Sequence, residues 1–179
     1  NDTEMLMAPY WVLADWQQDY EGNLLIMLPD TYGTANFLAH APDWVASWTG
    51  IRIDSMDPIE GGEQALAFWR SRGRNPQDKL TIFSDGLDIE TIERIHGHFS
   101  GRMRIGYGWG TLLTNDFRGL VPQNLLDPIS IVCKVVSVDG RPAIKLSDNP
   151  TKATGPAEAV EHYRRVFGAQ AGAAQPVLV

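Results

Sequence analysis

The chain has 179 residues, 44% of them hydrophobic, and 15 Lys and Arg against 22 Asp and Glu give a formal charge of −7. That length and apolar content suit one packed domain, or a large piece of one, and exclude a disordered chain. The acidic balance excludes a global attraction to nucleic acid or anionic membrane, so any bound anion must be held locally.

Asn1 stands where an initiating methionine would, and Asn-Asp-Thr-Glu runs straight into an amphipathic stretch, which reads as a piece of a longer chain. Between Ala8 and Tyr20 the helical spacing of Val12, Leu13, Trp16 and Tyr20 predicts a helix that buries an aromatic-rich face, with Pro9 in its first turn. Asn23 to Leu28 is short, uninterrupted and apolar, as a parallel strand covered on both faces should be, and it stops at Pro29-Asp30-Thr31-Tyr32-Gly33. A helical patch with Phe37, Leu38, Trp44, Val45 and Trp48 follows. The next strand, Gly50 to Ile53, stops at Asp54-Ser55-Met56-Asp57-Pro58. A helix from Ile59 to Arg72 turns Ala65, Phe68 and Trp69 inward, and Lys79 to Phe83 is a strand. Ile89 to Phe99 is a helix with Ile92, Ile95 and Phe99 on one stripe, and Arg102 to Tyr107 is a strand. Four strands roughly 25 residues apart, alternating with helices, predict βαβ units and a parallel sheet, closed as a barrel or left open.

After Gly110 the rhythm breaks into a loop through Pro122 and Pro128. Two apolar runs, Ile129 to Val138 and Pro142 to Leu146, flank Asp139-Gly140, which signals a two-stranded antiparallel hairpin. Cys133, the single cysteine, lies in the first run; it excludes an intrachain disulfide, favours a reducing compartment and is expected to be a packed, unreactive thiol. Ala157 to Phe167 is a final helix, and the weakly patterned tail 169–179 is expected to be flexible. No apolar stretch approaches the roughly 20 residues of a membrane span, and no signal peptide is visible. A soluble, cytoplasmic protein is the expectation.

In a parallel α/β sheet the carboxyl ends of the strands share one edge, where ligands bind. Here those ends read Asp30-Thr31-Tyr32-Gly33, Arg52-Ile53-Asp54-Ser55, Ser84-Asp85-Gly86-Leu87-Asp88 and Gly106-Tyr107-Gly108-Trp109-Gly110-Thr111. Gly108 and Gly110 let backbone N–H groups approach an anion and Thr111 adds a hydroxyl, which suits a phosphate without net positive charge. Asp54, Asp85 and Asp30 can accept from sugar hydroxyls, or hold Mg²⁺ through water, and Arg52 can pair with a carboxylate or stack on a flat ring. The set proposes a phosphorylated sugar. Plainer readings are weighed beside it: Asp88 reads as a helix cap, Arg70, Arg72 and Arg74 as a solvated helix end, and His96 and His98, two apart, as no shared metal site. A non-catalytic phosphate-binding module stays open. A barrel isomerase or aldolase lacks a Schiff-base lysine at a strand end, since Lys79 begins its strand.

The stretches "RIDSMDPIEGGE", "FSDGLDIETI", "GYGWGTLLTNDF" and "KLSDNPTKATG" together resemble the C-terminal half of a bacterial nicotinate phosphoribosyltransferase, over Trp11 to Gly168. The resemblance implies a parallel α/β barrel-like portion of a type II phosphoribosyltransferase over 1–120, a β-hairpin plus C-terminal helix over 121–168, and a tail over 169–179. It implies an enzyme of NAD biosynthesis that joins nicotinate to phosphoribosyl pyrophosphate, giving nicotinate mononucleotide and pyrophosphate, with Mg²⁺ as cofactor and ATP as co-substrate through a phosphohistidine. Sister enzymes acting on nicotinamide or quinolinate share the same half. By position, Arg52, Asp54 and Ser55 are implied on the nicotinate and ribose side, Ser84, Asp85 and Gly86 near the ribose and its phosphate, Gly108, Gly110 and Thr111 around a phosphate, and Asp30 at an acidic strand end. Met56 departs from a glycine usual in the family and bears on the pose around Asp57. None of His40, His96, His98 or His162 sits in the phosphohistidine motif, which is expected upstream. The implied partners are the missing N-terminal half and a second copy in a homodimer, and a covalent sugar intermediate is not suggested.

Overall fold

The computed structural model describes residues 1–117, 119–122, 125–129 and 131–168. Four strands, β1 (Ile26–Met27), β2 (Gly50–Ile53), β3 (Leu80–Ser84) and β4 (Arg104–Gly108), lie side by side in chain order and pair in parallel. Met27 faces Ile51, Ile53 faces Phe83 and Ser84 faces Gly108. This register brings the segments that follow each strand to one edge of the sheet.

The linking helices are α1 (Asp2–Asp19), α2 (Thr34–His40), α3 (Pro58–Ser71) and α4 (Ile89–Phe99). Asp57 starts α3 by accepting from the Ile59 and Glu60 N–H groups at 2.9 and 3.0 Å. Asp88 starts α4 by accepting from the Thr91 N–H at 2.8 Å, the capping role its position predicts. Gly61 and Gly62 seat α3 hard against the sheet: a Cβ on Gly62 would lie 2.3 Å from Phe99 Cζ, and one on Gly61 2.5 Å from Ile53 Cγ2. The main core gathers Met27, Trp48, Ile51, Ile53, Leu66, Trp69, Phe83, Ile95 and Phe99.

Beyond β4, a single turn α5 (Thr111–Thr114) occupies the start of the expected loop. A hairpin of β5 (Ser137–Val138) and β6 (Arg141–Pro142) turns at Asp139-Gly140, both in left-handed backbone, and α6 (Ala157–Phe167) follows. Ile144, Leu146, Val160 and Phe167 make a second cluster with Met5 and Leu6 of α1, so the C-terminal elements fold back onto the first helix. No helix among the described residues is long and apolar enough to cross a membrane.

Several expectations are corrected. α1 begins at Asp2, because Asn1 and Glu4 form a capping box, so Pro9 lies inside the helix rather than in its first turn. Its inward face is Tyr10 and Leu13, with Tyr10 Oη donating to the Phe37 carbonyl at 2.7 Å, whereas Val12, Trp16 and Tyr20 are exposed and the last two rings meet in a tilted contact, centroids 4.2 Å apart. β1 is shorter than Asn23–Leu28, since Asn23 and Leu24 belong to the turn that leaves α1. The hairpin arms are also short: one more bond, Ala143 N–H to the Val136 carbonyl, extends them, and then Lys145 bridges to Thr154 while Ile144 and Leu146 turn into the second cluster. The first arm, losing its partner there, leaves Ile131, Val132, Val135 and Val136 exposed, and Cys133 is exposed instead of packed. Among the three arginines, Arg72 is built in, donating to Asp43 at 3.1 Å and to the Ala41 carbonyl at 2.7 Å. The tail 169–179 lies outside the described residues.

Candidate functional site at the strand ends

A cavity of about 590 Å³ opens at the carboxyl edge of the sheet. All ten residues singled out at the strand ends line it: Asp30, Arg52, Asp54, Ser55, Ser84, Asp85, Gly86, Gly108, Gly110 and Thr111. Lys134, Lys145, Thr151 and Lys152 close the facing side. The lining thus carries four cations (Arg52, Lys134, Lys145, Lys152) against three carboxylates, in a chain whose overall charge is −7.

The carboxylates are held differently. Asp30 is 3% exposed; its Oδ2 accepts from Lys145 Nζ at 2.8 Å, and its Oδ1 is buried without a partner. Asp54 pairs with Arg52 at 3.3 Å, and burial, followed by repulsion from Asp30, raises its pKa above the usual carboxylate range. Asp85 Oδ2 accepts from the Ser55 backbone N–H at 3.2 Å and from Lys152 Nζ at 2.8 Å, which also donates to Ser55 Oγ at 3.2 Å. Neither Asp30, Asp54 nor Asp85 caps a helix: Asp57 and Asp88 do that work, leaving the strand-end carboxylates for polar partners.

Backbone strain concentrates here. Ser55, Asp85 and Ser147 have φ of 67°, 98° and 99°, a region where a non-glycine residue costs about 1–3 kcal/mol and where surrounding contacts must hold it. Opposite, Gly108 leaves room for Ser84, whose Cβ would lie 3.1 Å from an added methyl, while a Cβ on Gly110 would meet nothing within 4 Å. Met56 does not enter the cavity; it packs on the core over Gly61, and Asp57 meets Arg94 at 3.4 Å. None of the four histidines lines the cavity, and His98 pairs instead with Glu63 at 2.6 Å. Lys79 donates to the Trp48 carbonyl at 2.6 Å, at the opposite end of β3.

A sequence profile of the nicotinate phosphoribosyltransferase (NAPRTase) family matches residues 3–171. The chain belongs to that family. Its fold is similar to three solved structures: a nicotinate phosphoribosyltransferase of Vibrio cholerae (TM-score 0.80, 33% identity, covering 88% of this chain and 38% of that one), one of Porphyromonas gingivalis (0.81, 32%, 91% and 42%), and a putative one of Saccharomyces cerevisiae (0.79, 32%, 92% and 41%). The chain therefore spans about two fifths of the length of these relatives.

In this member of the nicotinate phosphoribosyltransferase family the last quoted stretch, Lys145 to Gly155, lies beside the strand ends. This strap is pinned by the Leu146 N–H donating to the Thr31 carbonyl at 2.9 Å and by the Lys145–Thr154 bridge. Asp148 accepts from the Thr34 N–H at 2.8 Å and from Thr34 Oγ1, so the strap caps α2; burial raises the Asp148 pKa, opposed by those Thr34 bonds. Sequence reasoning assigned no role to Lys134, Lys145, Thr151 or Lys152. The available signal was the pattern itself, two lysines seven apart around a Ser-Asp-Asn-Pro turn, which lets both amines reach one edge.

Proposed function

We propose that this chain is the phosphoribosyl-binding, C-terminal part of a nicotinate phosphoribosyltransferase, which forms nicotinate mononucleotide and pyrophosphate from nicotinate and phosphoribosyl pyrophosphate in NAD biosynthesis, in the cytoplasm. The observation that carries the reading is the convergence of ten strand-end residues on one cavity whose local charge is positive in an acidic chain. Strand order 1-2-3-4 without reversal is how the wall of a barrel is wound, and supports a barrel-like parent. Gly108, Gly110 and Thr111 hold a phosphate, Asp85 and Asp54 take ribose hydroxyls, and Arg52 sits at the ring side. In the reaction the anomeric C–O bond to pyrophosphate breaks and the bond from carbon to the ring nitrogen forms through an oxocarbenium-like state, so the protein mainly positions groups and balances charge.

No three His, Cys, Asp or Glu converge to hold a metal among the described residues. Asp54 and Asp85 fit the role of one or two carboxylates for a largely hydrated Mg²⁺ shared with substrate phosphates, which when bound would neutralise the leaving pyrophosphate. ATP coupling through a phosphohistidine is assigned to the rest of the enzyme, since no histidine lines this cavity.

The test is the reaction in the complete enzyme carrying these residues, with nicotinate, nicotinamide and quinolinate compared. Nicotinate mononucleotide should form, with ATP stimulation, and Arg52→Lys should raise the KM for nicotinate more than that for the sugar donor, because lysine lacks the planar guanidinium. Equal effects on both KM values would remove Arg52 from the ring side, and turnover of a sister base alone would overturn the substrate.

A further inference from the structure

Two lysines of the strap reach the strand-end carboxylates, and their surroundings differ. Lys145 is the single cation on Asp30 among the described residues, a carboxylate only 3% exposed whose other oxygen lacks a partner. Without Lys145, Asp30 would keep only two long hydroxyl contacts, from Ser55 Oγ at 3.3 Å and Ser147 Oγ at 3.5 Å, around a carboxylate buried without a cation, which holds Lys145 in place. Lys152 is different. Its ammonium lies 2.8 Å from Asp85 Oδ2, 3.2 Å from Ser55 Oγ and 3.8 Å from Asp54 Oδ1, on the wall of the cavity. Each carboxylate keeps a donor without it: Asp85 keeps the Ser55 N–H at 3.2 Å, and Asp54 keeps Arg52 at 3.3 Å. Its backbone is anchored independently, by the Lys152 N–H bond to the Asn149 carbonyl at 3.0 Å and by the neighbouring Lys145–Thr154 bridge. Only the side chain is free to change partners.

We propose that Lys152 is a displaceable counter-ion: in the empty cavity it neutralises Asp85, and when the phosphate-bearing substrate enters it moves onto the substrate's anionic oxygens and releases Asp85 Oδ2 to accept from a substrate hydroxyl. This rests on the phosphoribosyl reading given above. The exchange gives the arriving anion a cation from a cavity whose lining carries four cations against three carboxylates, while Asp85 keeps the Ser55 N–H and gains a substrate hydroxyl as donor. A lysine suits it better than an arginine, since a compact ammonium on a flexible stem can swing between two acceptors. Lys134, whose Nζ donates to the Lys152 carbonyl at 3.2 Å, holds the turn that carries it.

The experiment uses this chain at low micromolar concentration, titrated with inorganic pyrophosphate and separately with ribose 5-phosphate by calorimetry, while the ¹⁵N signals of the lysine ammonium groups are followed by NMR. Pyrophosphate should shift the Lys152 ammonium signal and leave that of Lys145 in place. Lys152→Ala and Lys152→Gln should each weaken pyrophosphate binding by about tenfold or more, the loss expected for one charge-assisted hydrogen bond, and Lys152→Arg should restore part of it. If the wild-type chain binds pyrophosphate but the Lys152 signal stays still, or the variants bind equally well, Lys152 is a fixed strut on Asp85 and the proposal fails while the phosphoribosyl reading stands. If the wild-type chain binds neither probe, both fail together. The NMR arm needs no variant, so misfolding of a substituted chain does not blunt the test.

Discussion

Asp85 shows how much a single strand-end residue carries at this edge. Its carboxylate ties the Ser55 backbone to the Lys152 side chain, and its own backbone sits at φ 98°, where asparagine and aspartate are tolerated better than most side chains. Asp85→Asn therefore keeps the backbone preference and removes the charge. In the complete enzyme it should lower kcat/KM for the sugar donor by one or more powers of ten, with a small change in Tm, because one oxygen still accepts from the Ser55 N–H. Asp85→Gly separates the two effects: it relieves the strained φ, so a chain that is more stable yet equally impaired in donor use locates the defect in the carboxylate. Unchanged kinetics beside a fall in Tm would make Asp85 a structural tie only.

At the level of elements, the two glycines of α3 and the lone glycine of α4 give opposite predictions. Gly62→Ala places a methyl 2.3 Å from Phe99 Cζ and 3.0 Å from Phe83 Cζ, so α3 must lift off the sheet; overpacking of about 1–3 kcal/mol outweighs the roughly 1 kcal/mol gained in helix propensity. Gly97→Ala meets nothing within 4 Å inside α4 and should stabilise by up to about 1 kcal/mol. Chemical denaturation of both variants checks the pair. A second device joins α3 to the end of α4: Arg102 donates to Glu63 Oε1 at 2.7 Å and Oε2 at 3.0 Å, and His98 adds a 2.6 Å contact. Hydrogen bonds from Arg102, then from His98, bring the Glu63 pKa down to about 2 from 4.5. A folded value below the unfolded one means a contribution fully present above pH 4.5 and lost as pH falls toward 2. Because Glu63 is 43% exposed, solvent screening holds the pair to about 1 kcal/mol or less. Glu63→Gln should lower Tm modestly at pH 7, where the contribution is fully present, and change it little near pH 2, so that the fall of Tm across that acidic window flattens; an unaltered acid limb would show that the pair contributes nothing. Elements of this kind were legible in the sequence wherever an apolar face meets a fixed neighbour, as with Gly50–Ile53 and Ile89–Phe99, and the strand-end polar groups followed from them. The face of α1 was not, because Trp16 and Tyr20 satisfy each other in solvent while Tyr10 finds the Phe37 carbonyl. Nor were the hairpin arms, whose length depends on Thr154 capturing Lys145, or the left-handed Ser55, Asp85 and Ser147, which no glycine announces.

For the whole molecule, the decisive facts are its open surfaces. β1 and β4 are the outer strands of the described sheet, and an outer strand presents unpaired N–H and C=O groups that invite pairing with another chain. Trp11, Val12, Leu24, Ile131, Val132, Val135 and Val136 are exposed. The three solved relatives are more than twice as long, no histidine lines the cavity, and the proposed function assigns the phosphate carrier to the rest of the enzyme. The chain by itself should therefore bind anions weakly, self-associate as its concentration rises, and form no nicotinate mononucleotide from nicotinate, phosphoribosyl pyrophosphate, ATP and Mg²⁺. Light scattering on a size-exclusion column reads the association, and a product assay on the same fractions reads the chemistry. Adding the remaining portion of a complete enzyme as a separate chain should suppress the association and restore turnover, since it would cover the open edges and supply the phosphate carrier. ATP-stimulated turnover on the order of 1 s⁻¹ by the isolated chain, a rate ordinary for enzymes, would mean that these 179 residues hold a complete active site.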